Sequence, residues 1–299
     1  MPEVSVVIPV YNRERLIGRA IQSVLDQTFQ DFELIVIDDH SSDNTLRTLE
    51  NIRDRRIRVF SHKRNLGAQA ARNTGIRNSK GRWISFLDSD DLYLVNSIAI
   101  RLDCARKENV KIVHSEGLVI DKGDSKPKWR RIPKMKGDIY RELLCRPGPA
   151  YQTLLVAHDA LEAIGPLDET LPAYQEWETC LRLAKSFRFG FVEEPTYLYN
   201  RQEAISISKS ANNSADGYIQ ILKRYESEIE DLCGKKALGS HYLRASYFLM
   251  RAGRKKEAMV WYRNAWKMNP FQARLWAYLP VIGIGGPLQK LVERMRFDH

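Results

Sequence analysis

Over its first ninety residues the chain alternates apolar runs with amphipathic ones. Val4, Val6 and Ile8 open a run that closes near Pro9, after which Ile17, Ala20, Ile21, Val24 and Leu25 recur at helical spacing. Phe32 begins a second apolar run ending in Asp38 and Asp39, and Ser41, Ser42 and Asp43 offer caps for a helix through Leu46, Leu49 and Ile52. Residues 57–60 and 83–87 are further strand candidates, separated by a helical stretch at 67–76 with Ala68, Ala71 and Gly75 on or near one face. Strands alternating with helices predict an α/β fold, its sheet mostly parallel and covered on both faces. Ligands of such sheets sit beyond the carboxyl ends of the strands. Asp38, Asp39, Asp88 and Asp90 all fall there. Carboxylates gathered in one place repel unless water, a cation or hydrogen-bond donors compensate them, so the arrangement predicts a site.

The later pattern is less regular. It predicts a helix at 95–107, an extended segment at 112–120 and a basic loop at 122–136 containing Pro127 and Pro133. A strand at 152–156, a short helix at 159–164 stopped by Gly165-Pro166, and an amphipathic helix at 176–185 follow. Short strands at 189–192 and 197–199 and a polar loop at 206–214 close a domain at 1–210. From Asp216 the pattern is helical only, which predicts a separate region at 216–299. One helix carries Ile219, Leu222, Ile229 and Leu232; a pair at 242–250 and 256–266 is joined at Gly253.

A chain of 299 residues, 43% of them hydrophobic, can bury a sizeable core without staples. Cys104, Cys145, Cys180 and Cys233 are scattered, which excludes a zinc-type spacing and makes a reducing compartment the default. The first residues lack a secretory pattern, and no uncharged apolar run reaches the roughly 18 residues of a spanning helix. A cytoplasmic protein, or one peripheral to the cytoplasmic face of the membrane, is the expectation. The net charge of +10 favours anionic partners without choosing among nucleic acid, membrane and small substrate. Nucleic acid is the poorest of these, because the basic runs at 122–146 and 251–299 accompany no helix-turn-helix, finger or aromatic single-strand motif. Residues 275–288 form an uncharged apolar stretch followed by Lys290, Arg294 and Arg296, suited either to covering the helical pair or to resting on an anionic bilayer. Nucleotidyl transfer is disfavoured because Pro9-Val10-Tyr11-Asn12 stands where a glycine-rich phosphate loop would follow the first strand. A nucleotide-binding module that docks proteins without transferase activity stays open as the alternative to an enzyme.

Four segments together carry a family resemblance: VSVVIPVYN, the IVIDD ending at Asp39, NLGAQAARNTGI from Asn65 to Ile76, and FLDSDD from Phe86 to Asp91. In order and spacing they are similar to the family 2 inverting glycosyltransferases of the GT-A fold, over roughly residues 4–201. The resemblance implies a Rossmann-like mixed sheet. The implied reaction is sugar transfer from a nucleoside diphosphate sugar, usually a UDP-sugar, to a hydroxyl of a glycan, lipid-linked or protein acceptor. It implies that Pro9, Val10 and Tyr11 line the base pocket, that Asp39 accepts from the base with Asp38 supporting its loop, and that Arg72 reaches the base or diphosphate. In Asp88-Ser89-Asp90 the first carboxylate would lie near the ribose and Asp90 would bind Mn²⁺ or Mg²⁺, with Asp91 behind them. Such a cation neutralises the leaving diphosphate, and substrate and water fill most of its coordination sphere.

An inverting transfer also needs a base for the acceptor proton. The family places one after a turn that here reads Gly165-Pro166-Leu167-Asp168-Glu169, in the segment Gln175-Glu176-Trp177-Glu178. Glu176 matches the base position. The chain departs from the family there, with Gln175 in the place of a Glu and Glu176 in that of an Asp. Tyr199-Asn200-Arg201 resembles the family's aromatic strand with a terminal basic residue, which makes Arg201 a diphosphate contact. His114 and His158 are expected to be structural or on the surface, and His40 has no assigned catalytic role. The helical pair over 239–272 resembles one tetratricopeptide repeat, with Tyr242, Gly253, Ala258, Tyr262, Ala265 and Pro270 in favoured positions. A single repeat must pack against the preceding helix, the main domain or a partner chain, which includes a second copy of this one.

Overall fold

The computed structural model describes residues 1–130, 132–201 and 210–270; the apolar stretch at 275–288 and its basic flank lie outside these residues. The chain forms two compact units. The first comprises Met1–Ile139, Gly148–Glu169 and Thr179–Ala204, the second Tyr140–Pro147, Thr170–Glu178 and Ile205–His299.

Among the described residues, the first unit is built on a nine-stranded sheet. Its opening half follows the predicted pattern: β1 (Val4–Val10), α1 (Ile17–Leu25), β2 (Phe32–Asp38), α2 (Thr45–Glu50), β3 (Ile57–Ser61), α3 (Ala68–Asn78) and β4 (Trp83–Phe86). The four strands are parallel, in the order β3-β2-β1-β4. Every residue of β1 and β2 is buried, as expected of parallel strands covered on both faces. Helix α1 turns Ile17, Ala20, Ile21 and Val24 inward. Helix α3 lies close on the sheet because it lacks bulk: a Cβ on Gly75 would fall 2.3 Å from Val7 Cγ1, and Ala71 packs with Ile35 and Ile37. The chain moves from β1 to β2 on one side and returns through α3 to β4 on the other. The crevice beyond β1 and β4 is therefore the topological switch point, where ligands of open α/β sheets bind.

Beyond β4 come β5 (Leu92–Tyr93), α4 (Ser97–Glu108), β6 (Ile112–Ile120) and β7 (Lys128–Arg130). The first unit ends with β8 (Leu155–Ala157), α6 (His158–Ile164) and β9 (Phe189–Asn200), while α5 (Tyr140–Cys145) belongs to the second unit. This half is mixed: β8 is antiparallel to β4 and β6, β9 parallel to β6, and β5 antiparallel to β9. Three expectations change here. The strand predicted at 152–156 begins as a 3-10 turn, Tyr151–Thr153, and only then becomes β8. The two strands predicted at 189–192 and 197–199 are one, kept continuous across Glu193 and Glu194 by register shifts against Ser115–Leu118. The basic loop carries β7, a three-residue Lys-Trp-Arg strand too short to show alternation.

The second unit contains α5 (Tyr140–Cys145), the start of α7 (Gln175–Ala184), α8 (Ala211–Cys233), α9 (Lys235–Arg251) and α10 (Lys255–Met268). The sequence suggested one cut between 210 and 216, but the units interleave. The physical reason is packing by Trp177, whose Nε1 donates to Leu143 O at 2.7 Å and whose ring joins Tyr218 and His241. Helices α9 and α10 form an antiparallel hairpin: Gly239 faces Met268 near one end, and Ser246 Oγ donates to Ala258 O at 2.8 Å near the middle. Among the described residues no helix is long and apolar enough to cross a membrane.

Candidate active site

The loops after β1 and β2 are laced together. Asn12 N donates to Ser41 Oγ, Arg13 N to Thr45 Oγ1 and Glu14 N to Asp43 Oδ2, while Glu14 Oε2 accepts from Asn44 N and Asn12 Oδ1 from Ser42 N. This lacing accommodates the left-handed backbone of Asn12 (φ 51°) and His40 (φ 66°). Pro9 and Val10 are buried in β1 opposite Ile37 and Asp38, and Tyr11, 41% exposed, is the member of the predicted base pocket that faces solvent.

The acids at the two strand ends are compensated differently. Asp39 is buried and accepts three hydrogen bonds, from His62 Nδ1 at 2.7 Å, Leu66 N at 2.9 Å and Gly67 N at 2.7 Å. It thus fixes the loop that leads into α3, and with about four acceptor sites on a carboxylate one remains available. Asp38 accepts from Ser41 N at 3.3 Å, which closes its own turn.

After β4, Asp88, Asp90 and Asp91 lie within four residues of chain and share fewer donors. Gln152 Nε2 donates to both Asp88 Oδ2 (2.5 Å) and Asp91 Oδ2 (2.8 Å), and Asn200 N donates to Asp91 Oδ1 at 3.0 Å. Arg72 Nη2 pairs with Asp88 Oδ1 at 2.6 Å. Asp90 has Arg13 Nη2 at 3.7 Å. Burial and the charge of Asp88 raise the Asp90 carboxyl above the ordinary range, and burial with the charges of Asp88 and Asp90 raises that of fully buried Asp91 well above it. The segment carries more negative charge than its surroundings neutralise.

Arg72 projects from α3 with its guanidinium 4.3 Å from the centre of the Tyr151 ring and Nη1 donating to Gln69 Oε1. Its Nε is buried without a hydrogen-bond partner among the described residues. An orphaned buried donor is costly, so this one is suited to an incoming acceptor atom. Arg201 is placed otherwise: its side chain lies over Tyr199 and 3.5 Å from Asp121 Oδ1, although its neighbour Asn200 reaches Asp91 through the backbone.

Glu176 lies in the first turn of α7, where an acid is favoured by the helix dipole. Its neighbours are fixed: Trp177 is buried on Leu143, and Glu178, 1% exposed, pairs with Arg224 at 2.9 Å. The preceding turn belongs to the first unit, where Asn73 of α3 donates to Leu167 O and Glu169 Oε1 and accepts from Leu167 N. His114 is wholly buried and bonds Met135 O, His158 bonds Gly81 O, and His40 is exposed in the turn directly after Asp39.

Residues 5–154 match the profile of glycosyl transferase family 2. The chain is also 31% identical over 234 residues to an Escherichia coli protein, covering 78% of this chain and 80% of that one, named UDP-Glc:alpha-D-GlcNAc-diphosphoundecaprenol beta-1,3-glucosyltransferase WfgD. The chain belongs to glycosyl transferase family 2. This glycosyltransferase is further similar, at 27% identity over 271 residues and 83% of both chains, to a Campylobacter jejuni GalNAc(5)-diNAcBac-PP-undecaprenol beta-1,3-glucosyltransferase. A Rickettsia felis glycosyltransferase is 48% identical over 115 residues, 38% of this chain, which spans only 19% of that relative's length. The fold is shared with S. aureus TarS 1-349 in complex with UDP-GlcNAc, at a TM-score of 0.70 and 17% identity, over all of this chain and 93% of that one. Family membership makes the protein an enzyme, a glycosyltransferase, and sets aside the binding module without transferase activity.

Several residues of this glycosyltransferase's site escaped sequence reasoning. His62 directly follows β3, so the strand-end rule that singled out Asp38 and Asp39 could have found it. Asn73 sits beside Arg72 inside a recognised segment. Gln152 and Tyr151 carry no local signal, since they reach Asp88 and Arg72 from far along the chain.

Proposed function

We propose that this glycosyltransferase moves a sugar from a UDP-sugar, with inversion, to a hydroxyl of a glycan carried on a lipid diphosphate. The observation that carries the reading is the under-compensated acid cluster Asp88-Asp90-Asp91 at the switch point, with the Arg72 guanidinium against it. The printed activities of the Escherichia coli and Campylobacter jejuni relatives supply the acceptor class, and the former names a UDP donor.

Among the described residues no three His, Cys, Asp or Glu side chains are gathered into a metal cage. The donor set fits a cation that needs only one or two protein ligands, because Asp90 is partly exposed and its raised carboxyl marks negative charge left to be balanced. Asp90, with Asp88 beside it, would hold Mn²⁺ or Mg²⁺, which when bound neutralises charge on the departing diphosphate. Arg72 offers its free Nε–H to a phosphate or base oxygen, Tyr11 forms the exposed wall, and Asp39 presents its remaining acceptor site to a base N–H. Arg201 lies one residue from the Asp91 contact and meets the diphosphate only by leaving Asp121. Glu176 is the side chain that receives the acceptor proton.

The test is turnover of radiolabelled UDP-glucose with a synthetic GlcNAc-diphospholipid, with product anomery read by NMR. A β-linked product from the α-linked donor, and Glu176→Gln lowering transfer about 10²-fold with UDP affinity intact, are expected. Retention of configuration, or full turnover by Glu176→Gln, refutes the mechanism. The stretch at 275–288 suits an acceptor held in a bilayer, and salt-sensitive co-sedimentation with anionic vesicles checks it. The family match ends at residue 154, so the tetratricopeptide-like reading of α9 and α10 rests on residue spacing alone.

A further inference from the structure

We propose that the helical unit is the holder of the proton-accepting side chain: Gly217, Tyr218 and Arg224 are positioning residues that fix the backbone on both sides of Glu176. The inference rests on the reading of Glu176 as the base. It gives the helices a part in the reaction in place of the partner-docking role that their repeat-like spacing suggests.

Four residues flanking Glu176 are each held within the second unit. Ala173 lies against the backbone of α8, where a Cβ on Gly217 would sit 2.6 Å from Ala173 O and 2.9 Å from its N. No other residue type permits that approach without moving the segment. Tyr174 adopts a left-handed backbone (φ 59°), a strained state for a bulky residue that persists only where its surroundings over-determine it. Its ring is 5.5 Å from Tyr218, 5.8 Å from Phe248 and 6.2 Å from Trp177. Trp177 stacks on His241 at 6.1 Å with 11° between the planes, and Tyr218 Oη bonds His241 Nδ1 at 2.6 Å. Glu178 is buried and paired with Arg224 of α8. Glu176 is therefore a partly exposed acid in a segment whose flanking residues are clamped by α8 and α9.

A general base works only within hydrogen-bond reach of the proton it takes, and a misplacement near 1 Å costs about 10²-fold in rate. A clamp on the flanking backbone supplies that placement without touching substrate. It also explains why Thr170–Glu178 associates with the helices although the chain continues into α7 residues of the first unit.

The experiment compares full-length Gly217→Ala, Tyr218→Phe and Arg224→Lys with Ser246→Ala, a change in the α9–α10 hairpin that leaves the clamp alone. Hydrogen–deuterium exchange over 170–178, UDP affinity by calorimetry, and turnover of UDP-glucose with the GlcNAc-diphospholipid are measured on each. Gly217→Ala should accelerate exchange over 170–178 and lower kcat about 10-fold or more, with UDP affinity unchanged. Tyr218→Phe should do the same to a smaller extent, Arg224→Lys should retain most activity by keeping the charge, and Ser246→Ala should match the wild type. Unchanged exchange over 170–178 in both Gly217→Ala and Tyr218→Phe overturns the proposal, as does a loss of UDP affinity in parallel with kcat or an equal loss in Ser246→Ala. If Glu176→Gln keeps full turnover, the base assignment fails instead, a result distinct from the exchange readout on the clamp.

Discussion

The sheet-bearing unit and the helical unit place their acids by different means. In the first, Asp39, Asp88 and Asp91 are set by hydrogen bonds from side chains and backbone N–H groups that converge on strand ends. In the second, the segment around Glu176 is set by stacked rings, a close glycine contact and one ion pair between buried Glu178 and exposed Arg224. Hydrogen bonds adjust a carboxylate's charge as well as its position, which suits groups that meet a diphosphate or cation. Packing fixes the position of the backbone, which suits the proton-accepting role proposed for Glu176.

The largest expected effect that would break this comparison is at Asp90. Asp90→Asn should lower transfer about 10²- to 10³-fold and abolish the Mn²⁺ dependence of UDP binding, while leaving the melting temperature equal or higher because one repelling charge is gone. Calorimetry with and without Mn²⁺ and a thermal melt check both halves. A variant that lost stability and kept metal-dependent binding would make Asp90 a structural acid like Asp39.

Next in size is a pH effect that should be alike in the two units. His114 in the first and His241 in the second are both held near a pKa of about 4, against 6.5 when free, chiefly by burial. The unfolded chain binds these protons between pH 6.5 and 4 and the folded chain does not. Stability is thus complete above that window, falls as pH drops through it and levels below it, by up to about 3 kcal/mol for each histidine. Urea melts from pH 4 to 7 on the wild type, His114→Asn and His241→Asn should show each substitution flattening part of the slope. A slope carried by one histidine alone would separate the units.

Asp39→Asn should cost about 2 kcal/mol, since an amide turned toward Leu66 N–H and Gly67 N–H leaves a buried donor unpaired. Chemical denaturation measures it, and an unchanged midpoint would mean that the loop into α3 is not held as described. The smallest change is Tyr151→Phe. It removes the hydroxyl that meets Gln69 and Thr179 but keeps the ring under Arg72, so stability should fall about 1 kcal/mol with UDP affinity intact.

Much of the proposed donor side was legible in the residues because its chemistry is local. Apolar runs ending in acids identify strand ends, and the switch-point rule turns strand ends into a site. The regular half of the sheet was legible for the same reason, whereas β7, the 3-10 turn at Tyr151 and the continuity of β9 depend on pairing partners far along the chain. Gln152 shows the limit most clearly: an ordinary amide in sequence, it is the donor shared by Asp88 and Asp91.

By itself the sequence determined the parallel half of the sheet, the order of its acids and the family to which they belong, because each follows from spacing within a few tens of residues. The tertiary structure alone decided how those acids are compensated and which body carries Glu176. Burial, charge balance and backbone strain are sums over neighbours that the chain brings together from long separations. Tyr174 keeps its left-handed backbone because Tyr218 and Phe248 pack on it, and Ala173 keeps its place because residue 217 has no side chain.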